Sequence, residues 1–254
     1  MDVGLDRRVC RGRPWNGGVG VRPLVVDVCC GVGGAARGFR RLGFDVLGVD
    51  VEPSEKYPGA VVEADVRDGV PEPVREAVDD RGVAAVWASP PCHPFTTLPQ
   101  GESPDVVDEA VGVVEAIVDR APGGRTPAFV ENVPGARERL VEATGWPEAW
   151  LVTLSGETER FDLDVRKRRL VACSFPATSP PRDRVASFPF GLSGREAPAH
   201  GYRRAHGFHT VDPDGLLAPS ELREAIPPAY VEELVRQAEH QGLVSVPNGP
   251  LASA

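Results

Sequence analysis

The chain has 254 residues, with 28 Lys plus Arg against 37 Asp plus Glu, 41% hydrophobic residues, 28 Gly and 26 Pro. That length supports one large domain, or one domain with a modest appendage, around a sizeable core. No stretch approaches the ~18 consecutive apolar residues of a membrane span, and MDVGLDRRVCRGRPW at the N-terminus lacks the apolar run of a secretory signal, so a soluble intracellular protein without a membrane partner is expected. The formal charge of −9 argues at face value against a nucleic-acid partner, because phosphate binding usually leaves a basic footprint. Cys10, Cys29, Cys30, Cys92 and Cys173 are odd in number, scattered and without a CxxC pair, which excludes a disulfide framework and a zinc site; no metal is expected. Only Lys56 and Lys167 are lysines among the basic residues, a bias that reads as that of a GC-rich coding sequence.

From residue 23 strands and helices alternate, predicting an α/β domain with a mostly parallel sheet. PLVVDVCC is a strand, GVGGAARGFRRLG a glycine turn and helix stopped at Gly43, and FDVLGVDVE a second strand ending at Asp50 and Glu52. AVVEADV is a third strand closing on Asp65, PEPVREAVDDRG a helix, and VAAVWAS a fourth strand that runs into the proline-rich loop PPCHPFTTLPQGESPD. Ser103 and Pro104 form an N-cap and first-turn pair for a helix through DVVDEAVGVVEAIVDR. TPAFVEN, WLVTLS and RRLVACSF complete seven strands. Residues 176–218 are rich in Pro, Gly, Ser, His and Arg without a sustained period, which predicts a small irregular region. ELREAIPPAYVEELVRQAEH is helical around a Pro227–Pro228 break, and residues 241–254 are expected to fray.

Four segments carry chemistry. In DVCCGVGG, residues 27–34, a glycine turn opens a helix and Asp50 ends the next strand, the arrangement of a nucleotide or nucleoside site in which backbone approaches the ligand and a carboxylate meets ribose hydroxyls. Such glycines can also serve a tight turn alone, and the spacing departs from the dinucleotide GxGxxG, which disfavours a nicotinamide oxidoreductase. In SPPCHPF, Cys92 follows the fourth strand at the sheet edge where α/β proteins hold ligands; a free cysteine is usually a small buried hydrophobe, but a loop of Pro, His and Thr is no core segment. Cys92 therefore reads as a nucleophile whose thiolate is favoured by helix ends or cations. In FVENVPG, Glu131 and Asn132 end the fifth strand; such a carboxylate can merely cap a turn, yet beside Cys92 it is a candidate acid. In VRKRRLVACSF four cations precede a strand, and Arg169 is placed to point back toward the site.

In this order the segments resemble the cytosine-C5 methyltransferase family over about residues 24–175 plus 219–236, a compact prokaryotic or bacteriophage-like member. DVCCGVGG is similar to the family's DLFCGxGG, SPPC to GPPC or SPPC, ENV to ENV, the basic run to QxRxR with Lys167 and Arg169 on its cationic positions, and EAIPPAY to GNAVPPP. The resemblance implies a Rossmann-like S-adenosylmethionine-dependent methyltransferase fold, a basic arm at residues 1–22, a cofactor-binding and catalytic domain at 23–175, a target-recognition region at 176–218, a C-terminal segment at 219–240 packing back on the catalytic domain, and a tail at 241–254. It implies methylation of C5 of a flipped-out cytosine in double-stranded DNA, with S-adenosylhomocysteine as co-product, by a cytoplasmic monomer of a bacterium or phage-infected cell, in the setting of restriction-modification. By resemblance Cys92 adds to C6, Glu131 holds N3 and the amino group, Arg169 contacts the ring oxygen, and Asn132 belongs to the same catalytic group. Asp27, Cys29, Cys30, Gly31, Gly33, Gly34, Asp50, Val51, Asp65, Val66 and Pro90 surround the cofactor, and His93, Thr96, Arg166, Lys167, Arg203 and Arg204 touch DNA.

The chain departs from the family at Cys29, where phenylalanine usually faces the adenine, at His93 and Val165, where glutamine is usual, and at Glu224, where asparagine is usual. PPCHPFT is close to the PPCQPFT of the tRNA-directed members, which keeps tRNA methylation as a rival, and the departures keep a catalytically impaired DNA-binding homologue as another. Charge by segment removes the initial objection to nucleic acid: residues 1–22 carry +3 and 151–210 carry +4, whereas 23–150 carry −11 and 211–254 carry −5.

Overall fold

The computed structural model describes residues 22–95, 105–184, 203–211 and 215–247. Its strands are β1 (Leu24–Val28), β2 (Asp45–Asp50), β3 (Ala60–Glu63), β4 (Ala85–Ala88), β5 (Ala128–Asn132), β6 (Leu151–Leu154) and β7 (Arg169–Cys173), and its helices are α1 (Gly34–Arg41), α2 (Glu72–Arg81), α3 (Val106–Arg120), α4 (Arg137–Thr144), α5 (Pro219–Glu224) and α6 (Pro228–His240). One sheet contains all seven strands in the order β3-β2-β1-β4-β5-β7-β6. The β1–β2, β1–β4, β2–β3 and β4–β5 pairings are parallel, while β7 runs antiparallel to both β5 and β6. This is the mostly parallel α/β sheet that the alternating pattern predicts.

The central strands β1, β4 and β5 are buried along their whole length, as strands covered on both faces must be. Their two-residue period divides the core. Val25, Trp87 and Phe129 face α1 and α6 together with Phe39, Phe44 and Tyr230, and Val26, Val86 and Val130 face α2, α3 and α4 together with Val74, Val114 and Leu140. Each such side chain contributes about 1.5–3 kcal/mol of burial. The first face is aromatic, with Trp87 and Phe129 rings 5.4 Å apart and Phe39 edge-on to Trp87 at 6.1 Å. α6 lies on α1 at Gly38, where any Cβ would come within 2.8 Å of the Pro228 carbonyl and of Val231.

Several boundaries differ from the sequence reading. α4 was absent from it: only Leu140 and Thr144 of this helix are buried, too few for an apolar period to show, although Gly145 at φ 60° is an ordinary helix stop. β3 ends at Glu63, and Asp65 instead caps a short 3-10 turn by accepting from the Arg67 amide. The Ser103–Pro104 cap lies outside the described residues, and Asp105 stands at the N-cap of α3. In the described parts of 176–218 there is no strand; residues 203–205 are helical, and Phe208 and Leu217 pack with Leu222, Ala225 and Val32 into a small core beside the glycine turn. No described helix is long and apolar enough to cross a membrane.

Candidate active site

The C-terminal edge of the sheet carries two adjoining sets of groups. The first begins where β1 stops. Cys29 takes a left-handed φ of 53°, unusual for a residue with a Cβ, and Gly31 and Gly33 follow at 48° and 78° before α1 starts at Gly34. A side chain on Gly33 would collide with Pro58 and Tyr57, and one on Gly34 with the backbone of Ile226, so the glycines here answer to close approach as well as to φ. Arg37 folds back from α1 to donate to the Val32 carbonyl and to the Gly33 carbonyl at 3.1 Å, and reaches the Lys56 carbonyl at 2.9 Å. The turn is thereby held from inside by a buried guanidinium that the sequence reading did not single out.

Asp50, at the end of β2, accepts from the Gly31 amide at 2.8 Å and the Glu52 amide at 3.0 Å, one on each carboxylate oxygen. Each oxygen keeps a lone pair for a hydroxyl, the donor-acceptor match of a ribose diol. Val51 beside it is 66% exposed, an apolar surface against which a flat ring can lie, and nothing lies within 4 Å of where a Cβ on Gly31 would stand. These features fit S-adenosylmethionine. Val66 is buried, and the Asp65 carboxylate also pairs with Arg67 at 3.1 Å. Beneath the turn Asp27 is buried, accepts from the Tyr57 hydroxyl at 3.3 Å, and is pushed well above the usual carboxylate range by burial; Cys30 is likewise buried with its thiol pushed up by burial. Cys29 is half-buried and offers no aromatic face.

The second set comes from β4, β5 and β7. Glu131 at the end of β5 and Arg169 at the start of β7 form an ion pair of 2.9 Å with side chains 9% and 8% exposed. The Trp87 indole donates to the Ser89 hydroxyl at 2.9 Å, and Ser89 in turn bonds to Glu131, so the carboxylate is oriented by a chain rooted in the aromatic core. Asn132 is buried; its amide donates to the Pro90 carbonyl at 3.0 Å and its oxygen accepts from the Val133 amide at 2.8 Å. Buried Pro90 thus ties the loop carrying Cys92 to the end of β5, and a 3-10 turn at His93–Phe95 closes with the Phe95 amide on the Cys92 carbonyl at 3.0 Å. Burial pushes the Glu131 carboxyl up, against the downward pull of Arg169, Ser89 and Lys167. Burial also pushes the Cys92 thiol up; Arg169 pulls it down, and Glu131 and Glu224 add to the rise. A cation does favour the thiolate, as expected, but desolvation outweighs it.

The expected nucleic-acid contacts divide. His93 and Arg204 are exposed, and Arg203 is half-buried with its guanidinium 3.5 Å from the Gly215 carbonyl. Arg166 is exposed and pairs with Glu157 at 3.2 Å, and Arg168 takes the other oxygen of the same carboxylate at 2.9 Å. Lys167 corrects the sequence reading: it is 0% exposed and donates to the carbonyls of Leu222 at 3.1 Å, Arg223 at 2.5 Å and Ala225, so it cannot reach a phosphate. Burial, with Arg169 nearby, holds its ammonium well below the usual lysine range. Thr96 lies outside the described residues. Among the described residues no group of His, Cys, Asp and Glu is placed to hold a metal.

No family model matches the chain. It is 32% identical over 124 residues to the Type II methyltransferase M.AgeI of Thalassovita gelatinovora, a match covering 43% of this chain and 28% of that protein. The chain thus spans little more than a quarter of that curated relative. The S. pombe Dnmt2 methyltransferase structure superposes on 87% of this chain and 99% of its own, with a TM-score of 0.53 and 13% identity. The Entamoeba histolytica methyltransferase EhMeth covers 87% and 98%, with a TM-score of 0.51 and 10% identity. The chain therefore has the Rossmann-like fold of S-adenosylmethionine-dependent methyltransferases, and over 124 residues its sequence resembles that of a Type II methyltransferase.

Proposed function

We propose that the protein is a methyltransferase acting on C5 of cytosine in double-stranded DNA. The observation that carries this reading is Cys92 standing at the sheet edge with the buried Glu131–Arg169 pair, one strand away from a glycine turn whose acidic neighbour suits a nucleoside. C5 of an intact cytosine ring is too weakly nucleophilic to attack a methyl group directly; addition of the Cys92 sulfur to C6 makes C5 an electron-rich enamine carbon. Glu131, its carboxyl raised by burial, delivers a proton to ring N3 as the new S–C6 bond forms, and Arg169 hydrogen-bonds the ring oxygen while keeping Glu131 in place. S-adenosylmethionine, when bound at Gly31–Gly34, Asp50 and Val51, supplies the electrophilic methyl group that C5 takes. Loss of the C5 proton to solvent, expulsion of Cys92 and return of the N3 proton to Glu131 then restore the aromatic ring. Since the target edge is inaccessible in stacked DNA, the base must be flipped out, and residues 176–218 with the exposed Arg166 and Arg204 are the proposed contacts to the duplex.

PPCHPFT favours a second reading, in which tRNA is the acceptor. Incubation with labelled S-adenosylmethionine and, separately, mixed-sequence DNA and tRNA, followed by nucleoside mass spectrometry, decides between them. 5-Methylcytosine from DNA is expected; the same product from tRNA alone would overturn the choice of substrate, and its absence from both would overturn the activity.

A further inference from the structure

Both lysines of a chain that otherwise uses arginine end on one six-residue helix, α5. Lys56, in the loop after β2, donates to the two carboxylate oxygens of Glu221 at 2.9 and 2.7 Å, and Glu221 also accepts from the Ala218 amide at 2.5 Å, capping the helix. Lys167 approaches from the other side, its ammonium meeting three carbonyls at the C-terminal end of α5, and the Tyr230 hydroxyl donates to the Lys167 carbonyl at 2.6 Å. The final carbonyls of a helix have no partner within it. A compact ammonium with three donors satisfies several that converge on one point, which a planar guanidinium does not.

Each lysine is also joined to one half of the site. The Lys56 carbonyl accepts from Arg37, which holds the Val32 and Gly33 carbonyls of the glycine turn, and the Ile226 backbone at the end of the segment lies against Gly34. Lys167 stands two residues before Arg169, the partner of Glu131. We propose that Pro219–Ile226 is a strap, gripped by Lys56 and Lys167 as positioning residues, that couples the order of the glycine turn to the order of the Glu131–Arg169 pair. The inference rests on the methyltransferase reading only for what the two halves bind.

Hydrogen exchange of the full chain tests it crosswise. In Lys167→Met the amides of Gly31–Arg37, which Lys167 does not touch, exchange faster by about tenfold or more, the scale of one lost charge-assisted hydrogen bond. In Lys56→Met the amides of β7 do so, although Lys56 does not touch that strand. Lys167→Arg keeps the charge and fails to restore protection, whereas α3, remote from the strap, exchanges as in the wild type in all three. Where Lys167→Met does not fold, Glu221→Gln spares the buried lysine and is expected to quicken exchange in β7. Quickening confined to the strap and the substituted residue's own neighbours, or uniform quickening that includes α3, overturns the proposal. Titration of the wild type with S-adenosylhomocysteine judges the methyltransferase reading separately, because the exchange experiment uses the ligand-free protein.

Discussion

The two halves of the site are built from different materials. The half proposed to hold the cofactor is backbone: a turn of glycines and left-handed residues, its amides set by Asp50 and its carbonyls by Arg37. The half proposed to take the substrate is side chains, a buried carboxylate and guanidinium with a desolvated thiol, drawn from three strands that are remote in the chain. A backbone turn is specified by what its residues lack, and Gly33 and Gly34 leave no room for a side chain. A buried ion pair is specified by mutual compensation, and removing one partner leaves the other charge in a medium that cannot solvate it.

The difference orders the expected effects of substitution. Cys92→Ala should lower methyl transfer by at least about 10³-fold while leaving S-adenosylhomocysteine affinity unchanged, measured by single-turnover labelling and calorimetric titration; equal losses in both would erase the division between halves. Glu131→Ala should cut turnover by about 10²-fold or more and, by stranding the Arg169 charge, destabilise the fold by about 3–5 kcal/mol in urea denaturation. Asp50→Ala belongs to the other half and should weaken S-adenosylhomocysteine by about 10–100-fold, with turnover at saturating cofactor little changed. Cys29→Phe, which places an aromatic face beside the nucleoside site, should tighten binding by about 2–10-fold. Because burial raises the Cys92 thiol above its ordinary value of 9.0 and Arg169 opposes the rise, alkylation of Cys92 should keep accelerating past pH 9, and Arg169→Met should move the midpoint higher still; a midpoint shifted downward would contradict the assigned role of Arg169.

Most of the first half was legible in the sequence, because a glycine turn between a strand and a helix is a local pattern and Asp50 lies at the end of the next strand. Arg37 and Tyr57 were not, since an arginine in an amphipathic helix reads as exposed until the turn it folds back on is in place. In the second half Cys92, Glu131 and Arg169 each stood out by type and strand-end position. Ser89 did not, because its link from Trp87 to Glu131 depends on β4 and β5 being neighbours. Lys167 was placed on the wrong side of the surface: in a run of four cations, alternation decides which member points inward, and a break in register of one residue reverses the answer.

The sequence by itself determined the α/β class, the seven strands and most of the groups that end them, because strand period, glycine turns and the proline-rich loop are all written within a few residues of one another. Only the tertiary structure decided that β7 runs antiparallel between β5 and β6, which brings Arg169 to Glu131 across 38 residues of chain, and that both lysines close on α5. Those contacts are long-range, and a buried charge reveals its partner only when the chain between them has folded.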